Sequence, residues 1–131
     1  MVWSLAYSST PRVAAHSIEM LDIARVALRR NAARDVSGVL YFSDVAFFQV
    51  LEGAEADVEA IYESIRRDPR HEELTLLARG AVPARRFGGW AMRFCDASDN
   101  PHLRGLLERR PVTPQDISMT VQMRIEALLA P

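Results

Sequence analysis

The chain is expected to adopt an α+β fold in which two helices cover one face of a sheet, and three observations lead there. Val2 to Ser8 and Phe47-Phe48-Gln49-Val50-Leu51-Glu52 alternate with the two-residue period of a strand. Glu55 to Arg67 instead repeats its apolar residues with the period of a helix. In sequence the elements read β-α-β-β-α-β-β, the split-βαβ, ferredoxin-like arrangement plus one strand. With 131 residues there is room for one domain with a real core.

The first strand, Val2 to Ser8, puts Trp3, Leu5 and Tyr7 on one face, and Ser8-Ser9-Thr10-Pro11 is expected to break it. A helix should follow from an N-cap at Ser17 to about Arg30, with Ile18, Leu21, Ala24 and Leu28 as its apolar stripe. Glu19 and Asp22 near its start suit the helix dipole. Asn31 to Asp35 should end it, with Asn31 in a position that a C-cap often takes. Val36 to Phe42 and Ala46 to Glu52 read as a hairpin joined at Ser43-Asp44, closed by Gly53. The second helix buries Val58, Ile61, Tyr62 and Ile65, carries an exposed Glu63–Arg67 pair, and stops at Asp68-Pro69. Leu74 to Arg79 and Trp90 to Phe94 are two further strands, parted by a loop around Pro83 to Gly89. Beyond Asn100-Pro101, Leu103, Leu106 and Leu107 mark one short helix, and Val121, Ile125, Leu128 and Leu129 a second. The expected division is therefore residues 1–96 as the domain and 97–131 as a helical extension that caps the sheet or forms an oligomer.

Composition narrows the function classes. Hydrophobic residues make up 49% and charged residues 25%, and the net charge is −1, so no broad attraction to nucleic acid or an anionic membrane is implied. No apolar run reaches the roughly 20 residues of a membrane span, and the first residues lack the basic, apolar and small-residue series typical of a signal peptide. The single cysteine, Cys95, rules out an internal disulfide framework and a cysteine-rich metal site, and it fits a reducing cytoplasm. It is expected to be a small buried or half-buried residue.

One polar residue stands out. Alternation places Gln49 on the same strand face as Phe47 and Leu51. If that face is the core, an unpaired amide there costs roughly 1–3 kcal/mol. If the face of Tyr7 on the first strand and that of Trp90, Met92 and Phe94 on the last also look toward the helices, a phenol, an amide and an indole lie within one layer. Mutual satisfaction of Tyr7 and Gln49 inside an ordinary core accounts for the same pattern.

Several motifs go further. The chain resembles the BLUF family, blue-light sensors that use flavin, over roughly Val2 to Phe94. The matching stretches are Leu5-Ala6-Tyr7-Ser8, Ala24-Arg25 followed by Asn31, Val36-Ser37-Gly38-Val39-Leu40, Phe48-Gln49-Val50-Leu51-Glu52-Gly53, Asp68-Pro69-Arg70-His71 and Trp90-Ala91-Met92. Their order and spacing together are specific. The family commonly has Gly-Ile-Thr-Gly where this chain has Asp35-Val36-Ser37-Gly38, which puts the geometry of that turn in question.

The resemblance implies FAD held between the two helices. Tyr7 would donate an electron and a proton, and Gln49 would bridge the tyrosine hydroxyl and the flavin edge. Asn31 would bond the pyrimidine side, with Arg30, Arg70 and His71 as further flavin neighbours. Arg66 could reach the ribityl or phosphate end, though an exposed salt bridge is the simpler reading. Trp90 and Met92 would couple the site to the surface, one replacing the other beside the flavin. No substrate would be converted, so the chain is expected not to be an enzyme. The output would pass to a separate protein, the chain ending too soon for a cyclase or phosphodiesterase domain, and a homo-oligomer is expected. A ferredoxin-like ligand-binding or regulatory module without photochemistry is the alternative. An acylphosphatase-type hydrolase is disfavoured because no glycine-rich phosphate loop accompanies Arg30 and Asn31.

Overall fold

The computed structural model describes residues 1–14, 16–86, 91–96 and 101. Its elements are β1 (Val2–Pro11), α1 (Ile18–Ala33), β2 (Ser37–Phe42), β3 (Phe47–Gly53), α2 (Glu55–Arg66), β4 (His71–Val82) and β5 (Arg93–Asp96). The expected order is thus observed. The strands form one sheet in the order β4-β1-β3-β2-β5, antiparallel except for β5, which runs parallel to β2. The two helices lie on one face. There Leu5, Tyr7, Leu40, Phe47 and Leu51 pack with Met20, Ile23 and Ala27 of α1 and with Val58, Ile61, Tyr62 and Ile65 of α2. The far face is also withdrawn from solvent, through Ala6, Val39, Tyr41, Phe48 and Val50. No helix among the described residues is long and apolar enough to cross a membrane.

Four expectations need correction. β1 does not break at Ser8 but runs on to Pro11, pairing Thr10 with Glu72 and Pro11 with His71 after register shifts. A terminal proline is tolerated there because the ladder's last position need not donate an N–H. In the same way β4 is longer than Leu74 to Arg79, because it follows β1 over its full length. β5 starts at Arg93, later than expected.

The fourth concerns the buried face of α1. Ser17 caps it as expected, its side chain accepting from the Met20 N–H, but the helix extends to Ala33. Its buried residues are Met20, Ile23, Ala27 and Asn31. Ile18 and Leu21 of the expected stripe are 82% and 65% exposed, and Leu28 is exposed too. The expected stripe is the more apolar of the two, so periodicity alone does not select the buried face. Met20, Ile23 and Ala27 pack into the core, and on the same side Asn31 Nδ2 donates to the Ala91 carbonyl at 2.8 Å. Asn31 is consequently a helix residue, and Arg34 takes the C-cap. Trp90, the side chain of Cys95 and both C-terminal helices lie outside the described residues.

Candidate functional site

The site is built on the β1–β3 ladder. Tyr7 and Gln49 are direct cross-strand partners, both buried on the helix side, and Leu40 of β2 stands beside Gln49. The Tyr7 hydroxyl donates to Gln49 Oε1. The amide's nitrogen, Nε2, points the other way, to Met92 Sδ at 3.7 Å. A phenol, an amide and a thioether thus form a relay from the sheet's centre to the segment entering β5. Gln49 is satisfied on both sides, as burial requires.

Around Tyr7 the rings are close. Tyr62 of α2 lies with its centroid 5.8 Å away, and the His71 ring meets Tyr7 edge-on at 6.4 Å and Phe47 at 5.0 Å. Ser9 Oγ and His71 Nδ1 are 2.9 Å apart, which fixes the imidazole's rotation. Burial raises the Tyr7 phenol above its ordinary value, the Arg30 charge opposing it, so the hydroxyl stays protonated. Burial lowers His71, keeping the imidazole neutral, with the Asp68 charge opposing and those of Arg70 and Arg30 adding to the fall. Burial also lowers Arg30.

At the C-terminal end of α1 the balance of donors and acceptors is incomplete. Asn31 is 0% exposed and uses only its nitrogen. Among the described residues its Oδ1 and Arg30 Nε are buried without a hydrogen-bond partner. A native interior rarely leaves such atoms unsatisfied. An unused acceptor and an unused donor on successive residues suit a polar ring carrying both N–H and C=O groups.

The remaining expected site residues divide. His71 is part of the cluster. Arg70 is held elsewhere, its guanidinium spanning Asp68 at 2.8 and 3.1 Å and Asp22 of α1 at 3.1 Å, so it ties the α2–β4 loop to α1. Asp68, though burial raises it, is kept below the usual carboxylate range by hydrogen bonds and charge from Arg70. Arg66 pairs with Glu63 on the surface. Three participants escaped the sequence. Ser9 lies beyond the expected end of β1, Asp68 has the place of a helix stop, and Ala91 contributes only its carbonyl, which no residue type announces. In the turn that departs from the family pattern, Asp35 itself takes the left-handed conformation, with φ 53°.

The family model described as sensors of blue-light using FAD, BLUF, matches residues 2–93. The blue light- and temperature-regulated antirepressor BluF of Escherichia coli (strain K12) is 40% identical over 96 residues, covering 73% of this chain and 24% of that protein. The photoactivated adenylate cyclase subunit beta of Euglena longa is 42% identical over 74 residues, 56% of this chain and 9% of that one. The chain therefore spans about a quarter of the antirepressor and about a tenth of the cyclase subunit. Among solved structures, the dark state of BlrB, a BLUF protein, superposes with a TM-score of 0.80 at 29% identity, covering 98% of this chain and 97% of BlrB.

Proposed function

The chain belongs to the BLUF family of flavin-binding blue-light sensors, and from that premise we propose that it takes FAD and reads out its excitation through Tyr7, Gln49 and Met92. The observation that carries this reading is the buried relay from the Tyr7 hydroxyl to Gln49 Oε1 and from Gln49 Nε2 to Met92 Sδ. The unsatisfied pair at the end of α1 supports the cofactor. Arg30 Nε offers a donor to a ring carbonyl, and Asn31 Oδ1 offers an acceptor to a ring N–H, as the pyrimidine side of a flavin needs. In this reading Tyr7, Arg30, Asn31 and Gln49 hold the ring, His71 flanks it, and Arg70 keeps the neighbouring loop in place.

Bound flavin supplies an electron acceptor that becomes strongly oxidising when it absorbs blue light. The protein's part follows from its own groups. Tyr7 is a neutral phenol whose proton already rests in a hydrogen bond to Gln49. Loss of an electron makes a phenol strongly acidic, so the proton passes to Gln49 Oε1 and returns when the electron does. The amide can then settle reversed, its nitrogen toward Tyr7 and its oxygen toward Met92. A thioether has no proton to donate. The reversed amide therefore loses its bond to Met92 Sδ, and the entry to β5 is free to shift. This is a two-state switch without conversion of a substrate.

The output belongs to a separate protein or to a second copy of this chain, in a cytoplasmic setting. In this reading 97–131 is the extension that meets the partner. The test is an absorption spectrum of the purified chain before and after blue illumination, followed by release and chromatography of its flavin. A reversible red shift with FAD released is expected. A flavin-loaded chain with no light response removes the photoreceptor assignment, and release of FMN alone removes FAD.

A further inference from the structure

Strand β3 carries two buried polar side chains on opposite faces. Gln49 faces the helices, and Glu52, on the far face, is 0% exposed. The relay above uses only Gln49. A buried carboxylate is strongly disfavoured unless it is both paired and hydrogen-bonded, so its partners indicate its task.

Both oxygens of Glu52 go to one residue. The Arg86 backbone N–H donates to Oε1 at 2.7 Å and Arg86 Nε to Oε2 at 2.7 Å, while Arg86 Nη2 continues to Ser4 Oγ on β1 at 2.6 Å. Arg85, just before it, donates from Nη1 to Ser37 Oγ at 2.8 Å and to the Glu52 carbonyl at 3.2 Å. Its Nη2 reaches the carbonyl of Asp35, the left-handed residue of the α1–β2 turn, at 2.7 Å. Two successive arginines beyond β4 are thus gripped by β1, β2, β3 and the turn that follows Asn31. Neutralising a charge would need only the guanidinium. By accepting from the backbone N–H of the same residue, Glu52 also holds the main chain at Arg86, a few residues ahead of Ala91 and Met92 in sequence.

We propose that Glu52 is a positioning residue for the light switch: by fixing Arg86 it anchors the chain ahead of Met92, and so bears on how Met92 meets Gln49. The same strand then holds both the photoactive amide and the anchor of its readout. The inference rests on the blue-light reading. It predicts that a released connection yields more easily to the reversed amide, which prolongs the light state.

The experiment uses the flavin-loaded full chain carrying 13C-methyl methionine, with the Met92 resonance assigned by Met92→Leu. Single removal of either partner leaves a buried charge, so the double variant Glu52→Leu/Arg86→Leu, which strips both, is compared with Glu52→Gln. With flavin content unchanged, the double variant should show a moved or broadened Met92 methyl signal in the dark. Its return from the light state should be slower by about threefold or more, the coupling expected within one hydrogen-bond network. Glu52→Gln, which keeps an acceptor for the Arg86 N–H, should recover most of the unmodified behaviour. An unmoved Met92 signal or an unchanged or faster return overturns the inference. An unmodified chain that binds flavin yet ignores light instead overturns the reading beneath it.

Discussion

Tyr7 and Gln49 face each other across the β1–β3 ladder, and the phenol's hydrogen bond to the amide is set by strand register. A slip of one residue would send either side chain to the opposite face of the sheet. The pairing is therefore specified by the same alternation that builds the core, and the amide's second bond, to Met92, is what lets the sheet's centre act on β5.

Tyr7→Phe isolates the phenol's role. The ring stays in place, and Gln49 Oε1 loses its donor, at about 1–3 kcal/mol if nothing replaces it. Flavin content should be nearly unchanged, because Arg30 and Asn31 are untouched. The long-lived red-shifted state should vanish from light-minus-dark absorption spectra. A normal red shift in this variant would release Tyr7 from the relay.

Asn31→Ala removes two things at once, the bond to the Ala91 carbonyl and the unsatisfied Oδ1. Loss of about 1.4 kcal/mol of ring binding would weaken flavin affinity tenfold. The flavin-to-protein ratio after desalting should fall accordingly. An unchanged ratio would leave Asn31 with the helix–strand tie alone.

The pH dependence of stability tests the burial of His71. Its folded value lies below its unfolded one, so between the two the unfolded chain binds more protons and stability rises with pH. The contribution is complete above about 6.5 and is lost as the pH falls through the folded value. Melting temperature should drop on acidification below about 6.5, and His71→Gln should flatten that part of the curve. Asp68, displaced downward, loses its own contribution only below its ordinary 3.8, in a separate range.

How much of this was legible depends on whether local pattern or tertiary contact decides. The central strands are legible as short apolar runs between turn signals, buried on both faces, and α2 because the Val58–Ile61–Tyr62–Ile65 spacing admits one buried face. Gln49 and Tyr7 were readable because a polar residue in such a face demands a partner. Helix α1 is not legible in this way because its more apolar stripe is not the one that packs: Met20, Ile23 and Ala27 enter the core, and Asn31 beside them reaches Ala91, far away in sequence. Arg70 looked like a cofactor residue from its position alone, whereas Asp22 and Asp68 claim it in space. Glu52 stands in the same motif, but its partner Arg86 is distant in sequence, so its role as an anchor shows only in space.

Gly38→Ala tests whether the site depends on how closely β2 and β3 approach. A Cβ at Gly38 would sit 2.4 Å from the Val50 carbonyl oxygen, a backbone atom that cannot swing aside. Relief requires β2 to shift against β3, and the residues next in that ladder are Val39 with Val50 and Leu40 with Gln49. Overpacking of this kind costs about 1–3 kcal/mol, and more where backbone must move. The variant should melt lower and hold flavin less well, since Gln49 moves with the strand. Gly80→Ala is the control, because nothing lies within 4 Å of its added methyl. It should change stability by no more than about 0.5 kcal/mol. Equal melting temperatures for the two variants would mean that the sheet accommodates the Gly38 methyl and that the close approach of β2 and β3 is not what fixes Gln49.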